Sequence, residues 1–148
     1  MKKQIANVLA NRYASAELVD LWSAETKIIL ERQLWIAVLK AQRDLGVDVP
    51  AEAIAAYENV IDKVDLESIA NREKITRHDV KARIEEFNAL AGYEQVHKGM
   101  TSRDLTENVE QLQVYRSLEL IRTKAITVAL RITERAAEYD TLVMAGQY

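Results

Sequence analysis

Residues 102–139 read SRDLTENVEQLQVYRSLELIRTKAITVALRITERAAEY, an unbroken run with neither Gly nor Pro. Within it Leu118, Ile121, Ala125, Val128 and Ile132 recur at alternating steps of three and four. That spacing is the seam of a helix packing lengthwise against another helix. Leu105, Val109 and Leu112 continue the seam upstream. At about 1.5 Å per residue the helix is roughly 50 Å long, more than one small domain can cover. It therefore reads as the first helix of a bundle whose other members come from further chain, from sister subunits, or from both.

The chain before this helix is punctuated by one Pro (Pro50) and by Gly46, Gly92 and Gly99. So few breakers point to an almost wholly helical protein. Ser15 and Ser23 are placed to cap helices running to Leu21 and to about Leu45, and Gly46 follows as a stop. Pro50 opens a helix through Val60, Asp65 caps one ending near Lys74, and another runs from Asp79 to Leu90 before Gly92. Tyr93 to Met100 is a connector. The fold class is all-α: a compact N-terminal helical domain over residues 1–103, then, over residues 104–148, the start of a multi-helix bundle.

The full sequence has 148 residues, 49% hydrophobic and 29% charged, a globular balance. A net charge of −3, with no basic run interleaved with aromatics, argues against nucleic acid as a partner. No stretch approaches the roughly 20 apolar residues of a membrane span, and Met1–Ala10 lacks the apolar core of a signal peptide. The absence of cysteine removes disulfides and thiolate chemistry and accords with a cytoplasmic protein. No metal-ligand spacing and no phosphate loop is present.

Both histidines lie in polar clusters beside helix starts. Thr76-Arg77-His78-Asp79 sets a fixed cation, a titratable ring and an anion in a row, a set suited to gripping an anionic substrate and managing a proton. The same residues are also ordinary helix-cap material, with Thr76 or Asp79 as the cap. In His97-Lys98-Gly99-Met100-Thr101-Ser102-Arg103-Asp104, two hydroxyls stand where the long helix begins. Its free N–H groups and dipole favour a carboxylate or phosphate there. Thr101 with Asp104 equally resembles a capping box. Asn11-Arg12-Tyr13 precedes the first helix, and an Arg beside a Tyr can hold a phosphate. Trp22 and Trp35 read as packing residues, and Glu85 with Glu86 as a solvated face.

Taken in order, Asn11-Arg12-Tyr13-Ala14-Ser15, Leu21-Trp22-Ser23, Glu31-Arg32, Trp35, Thr76-Arg77-His78-Asp79-Val80 and His97 through Asp104 resemble the adenylosuccinate lyases of the fumarase/aspartase superfamily. The resemblance runs to about Gly146. It implies an all-α homotetramer around a central helical bundle, with each active site drawn from three subunits. It implies β-elimination of fumarate from adenylosuccinate, giving AMP, and from the succinyl-carboxamide intermediate (SAICAR to AICAR) of purine synthesis, without cofactor or metal. Arg12 and Tyr13 match the family's phosphate-side contact. Arg77, His78 and Asp79 match a substrate-binding segment whose histidine assists the general acid. Thr101 and Ser102 match the pair holding the succinyl carboxylate, and His97 matches a further histidine near the nucleotide.

The sequence departs from that family after Met144-Ala145-Gly146, where Arg, then Ser or Thr, then the general-acid His usually follow. Gln147 and Tyr148 stand in the first two of those places. The Gly/Ser-rich loop that carries the general base has no counterpart. An elimination needs acid and base together, so this reading expects an N-terminal fragment, inactive alone. Two alternatives stand beside it. One is a non-catalytic helical module that pairs with lyase subunits, and the other is a fragment of another superfamily lyase, acting on argininosuccinate or fumarate.

Overall fold

The computed structural model describes residues 7–147. The stretch Met1–Ala6 of the leader reading and Tyr148 lie outside them. Among the described residues seven helices follow one another: α1 (Val8–Tyr13), α2 (Ala16–Leu21), α3 (Ala24–Asp44), α4 (Ala51–Glu58), α5 (Leu66–Thr76), α6 (Asp79–Ala91) and α7 (Ser102–Glu138). There is no strand among the described residues, and no described helix is long and apolar enough to cross a membrane. The chain is all-α.

Several helix starts follow from polar side chains that satisfy otherwise unpaired N–H groups, whereas Ser15 occupies the cap position of α2 without making such a bond. Ser23 accepts from the Thr26 N–H and Asp65 from the Ser68 N–H. Two further starts differ from the sequence reading. Asn11-Arg12-Tyr13 does not precede the first helix but closes α1, because Asn7 caps that segment by accepting from the Ala10 N–H at 3.0 Å. The cap of α6 is neither Thr76 nor Asp79 but His78, whose ring accepts from the Lys81 N–H.

The core forms where α3, α4, α6 and the first turns of α7 meet. Trp35, Leu39, Tyr57, Phe87 and Leu105 are wholly withdrawn from solvent there. Phe87 lies between Trp35 and Tyr57, with ring centroids 6.1 and 4.8 Å away. The Tyr57 hydroxyl accepts from the Gln95 N–H and sits 2.7 Å from the Tyr93 carbonyl. The connector after α6 is thus tied into the core. Glu86 is not on a solvated face: it is buried, paired with buried Arg32 at 2.5 Å. Its helix turns that position inward, and Glu85 alone stays at the surface. Trp35 is core, whereas Trp22 is half exposed and donates to Ser117 Oγ at 2.9 Å.

Along α7, Leu105, Val109 and Gln113 form the inward row, with Gln113 donating to the Leu21 carbonyl. Leu112 does not continue that row; it is turned outward. Steps of four keep 105, 109 and 113 on one side. At about 100° per residue the row from Leu118 to Ile132 points some 140° away from it. From Ile121 to Gln147 every residue is exposed.

Candidate functional site

His78, Thr101, Ser102 and His97 come together at the start of α7. Thr76 Oγ1 accepts from the His78 N–H and donates to the His78 carbonyl, closing a tight turn before α6. From that turn His78 Nε2 reaches to 3.5 Å from Ser102 Oγ. Nδ1 faces the Lys81 N–H at 3.4 Å and Asp79 Oδ1 at 3.5 Å. The neutral ring caps α6, and the protonated ring has a carboxylate beside it.

Asp79 is held from behind. Its Oδ2 accepts from Arg83 Nη2 at 2.8 Å, and Arg83 Nη1 donates to Glu31 Oε1 at 2.6 Å. Burial works against the Asp79 carboxylate, yet the Val80 N–H, the Arg83 guanidinium and His78 together keep it below the usual carboxylate range. Glu31 is wholly buried; desolvation lifts its pKa above the ordinary value despite Arg83. Glu31 and Arg83 were not among the site residues read from sequence. The step of four from Asp79 to Arg83 on one helix was the available signal.

The two clusters share a backbone feature. Arg77 (φ 52°) and His97 (φ 68°) are the non-glycine residues in left-handed conformation among those described. Such geometry is uncommon outside Gly and Asn and concentrates at functional sites. At Arg77 it ends α5 and redirects the chain into His78.

Thr101 forms the capping box of α7: its hydroxyl accepts from the Asp104 N–H while the Thr101 N–H donates to Asp104 Oδ2 at 2.7 Å. Thr101 is thereby committed to the helix, and the neighbouring hydroxyl of Ser102 faces His78. The capping and anion-binding readings of this segment fall on adjacent residues. His97 lies within electrostatic reach of both His78 and Asp104; burial lowers its pKa, with Asp104 opposing and His78 adding to the effect.

Arg12 and Tyr13 have no bonded link to this cluster. Both are exposed on α1, and no hydrogen bond or ion pair among the described residues joins α1 to His78 or Thr101. Neighbouring Asn11 and Ala14 border an open hollow of about 760 Å³ with α2 and the start of α3.

An all-α chain that sets an imidazole against a hydroxyl at the head of a long bundle-type helix has its sequence relatives among the lyases. The chain is homologous to the adenylosuccinate lyases. It is 33% identical over 144 residues to that of Schistosoma mansoni and 32% identical to that of Schizosaccharomyces pombe, covering 95% and 93% of this chain. It is also 25% identical, over 95% of its length, to an N-acetyl-S-(2-succino)cysteine lyase of Enterococcus italicus. In each case the chain spans about 30% of the relative's own length. No family model matches it.

Proposed function

We propose that this chain supplies part of the active site of a carbon–nitrogen lyase that eliminates fumarate from adenylosuccinate, leaving AMP, and from SAICAR, leaving AICAR. The observation that carries the reading is His78 Nε2 facing Ser102 Oγ at the N-terminus of α7, in a chain homologous to adenylosuccinate lyases. The start of α7 offers N–H donors, a hydroxyl and a favourable dipole to a carboxylate. His78 stands beside it as the assisting acid, steadied by Asp79. Adenylosuccinate and a 2-succinocysteine have the succinyl group in common, the names of two relatives attest, and the Thr101–Ser102 corner is the element suited to that shared half. Arg77 supplies a cation and His97 a further contact. Arg12 and Tyr13 serve the phosphate of a site completed by other subunits of a homotetramer, a reading that does not require them to bond to the His78 cluster within one chain. The role is that of a cytoplasmic purine-nucleotide enzyme acting without cofactor or metal.

In this reading none of the chain's residues is the principal acid or base, so the isolated chain releases no fumarate. Titrating it with adenylosuccinate should perturb the amides of Thr101 and Ser102 and the ring of His78, and Ser102→Ala should weaken the response. Silence at all three positions refutes the site. Turnover on the order of 10 per second refutes the assignment of roles.

A second reading is a non-catalytic module that pairs with lyase subunits, favoured by the exposed apolar row from Leu118 to Ile132 on α7. Co-sedimentation with a full-length adenylosuccinate lyase, without ligand response at His78, would favour it.

A further inference from the structure

Trp35 Nε1 lies 3.0 Å from His97 Nδ1, with the two rings nearly perpendicular at 89° and their centroids 5.9 Å apart. An indole nitrogen only donates, so His97 Nδ1 accepts and carries no proton. A neutral imidazole then holds its proton on Nε2. We infer that Trp35 is a positioning residue that fixes His97 as the neutral Nε2–H tautomer, so that His97 meets a ligand as a hydrogen-bond donor and is not a proton carrier. The ligand clause rests on the function proposed above; the tautomer does not.

The surroundings hold both partners in place. Trp35 is 1% exposed and stacked near Phe87, so its indole cannot turn away. His97 is set by its left-handed backbone, and the next residue is pinned by Gln42, which donates to the Lys98 carbonyl at 3.0 Å. Gln95 Oε1 accepts from the Lys98 ammonium at 2.6 Å, so the lysine charge is drawn along the connector. The titratable groups facing His97 are Asp104 from α7 and His78 from the turn before α6. Asp104 is engaged by the capping box. No described protein group accepts from Nε2, which leaves that proton for a ligand. Protonating Nδ1 would turn donor against donor at a half-buried contact with a buried indole, a cost that a fully exposed histidine does not meet.

The chain has two histidines, so nitrogen NMR can resolve each ring, with His78→Gln making the assignment. In the intact chain a scalar coupling across the Trp35 N–H to His97 Nδ1 bond is expected. His97 should still be neutral and protonated on Nε2 when the pH is taken below the ordinary imidazole value of about 6.5, since burial lowers its pKa. In Trp35→Phe the ring should sample both tautomers and titrate closer to the ordinary value. If that variant fails to fold, the coupling in the intact chain still decides. No coupling, or a His97 protonated on Nδ1 at neutral pH, overturns the proposal. A coupling that is present while adenylosuccinate leaves His97 Nε2–H and Ser102 unmoved sinks the functional reading and leaves the lock standing.

Discussion

Arg32 Nη2 lies 2.5 Å from Glu86 Oε2, and neither side chain reaches solvent. The same guanidinium donates through Nη1 to the carbonyls of Val60 and Ile61 and sits over the Phe87 ring at 4.6 Å. Glu86 Oε1 accepts from the Asp65 N–H. One buried pair therefore ties α3, the turn after α4, the start of α5 and α6 together. Removing one member leaves a charge without its partner away from water, a loss of about 3–5 kcal/mol. Urea unfolding of Glu86→Gln and Arg32→Met should show destabilisation of that size. Arg32→Lys should rescue little, since a single ammonium cannot serve two carbonyls and a carboxylate in one plane. Near-native stability of Arg32→Lys would show that the fork geometry is dispensable.

Thr101 and Ser102 should separate cleanly by mutation. Thr101→Ala removes the capping hydroxyl and should lower stability by about 0.5–2 kcal/mol. Ser102 makes no capping bond, so Ser102→Ala should stay within about 0.5 kcal/mol of the intact chain yet weaken its response to adenylosuccinate. Thermal melts alongside ligand titration check the pair. If Ser102→Ala proved the destabilising one, the division of labour at this corner would be reversed.

Most of the helical order was legible because its causes are local. Ser23, Asp65, Gly46, Gly92 and the Thr101–Asp104 box each act within one turn of the residues they cap. What stayed hidden depends on contacts distant in sequence. Glu86 is buried because Arg32 lies 54 positions away, and nothing adjacent to Glu85-Glu86 signals that. Gln113 takes the inward place because the Leu21 carbonyl needs a donor, so a count of apolar residues selects Leu112 instead. The candidate site was legible as clusters of chemistry-bearing residues. The pairing of Trp35 with His97, and the run from Asp79 through Arg83 to Glu31, needed the fold.

Acid should weaken the fold in two stages, each with a definite sign. His97 has its pKa lowered from 6.5 in the folded chain, first by burial. Its contribution is full above 6.5 and is lost as pH falls towards the folded value, because the unfolded chain takes up the proton first. Asp79, also lowered, contributes above 3.8 and loses that as pH falls through its folded value. Glu31, raised from 4.5, works oppositely: it favours the fold below 4.5 and loses that as pH rises through its folded value. The urea midpoint of the intact chain should drop as pH is taken below 6.5. His97→Gln should flatten that first stage and leave the lower one. An intact chain whose profile matches that of His97→Gln as pH falls below 6.5 would contradict the sign assigned to His97.

Association through α7 follows from what that helix leaves uncovered. Leu118, Ile121, Val128 and Ile132 are each more than half exposed, and they point away from the side that α7 turns to the core. Tyr115, Ile126 and Leu130 form a second exposed row further round the same helix. A helix apolar on two sides is one suited to the interior of a bundle, and one partner helix covers only one side. Burial is worth about 25 cal/mol per Å² of apolar surface, and a contiguous patch of this extent is uncommon on a monomer. The chain should therefore associate at micromolar concentration, and beyond a dimer as concentration rises, with α7 helices crossing at the shallow angle of bundle packing, about 20°. Ile121→Glu with Val128→Glu places unpaired carboxylates in that seam and should drive the chain towards monomer, while the core around Trp35 and Phe87 keeps its stability. Ile126→Glu with Leu130→Glu should stop assembly at the dimer. Sedimentation equilibrium across that range distinguishes the three. An intact chain that stays monomeric throughout refutes the association, and two double variants that behave alike refute the assignment of two separate sides.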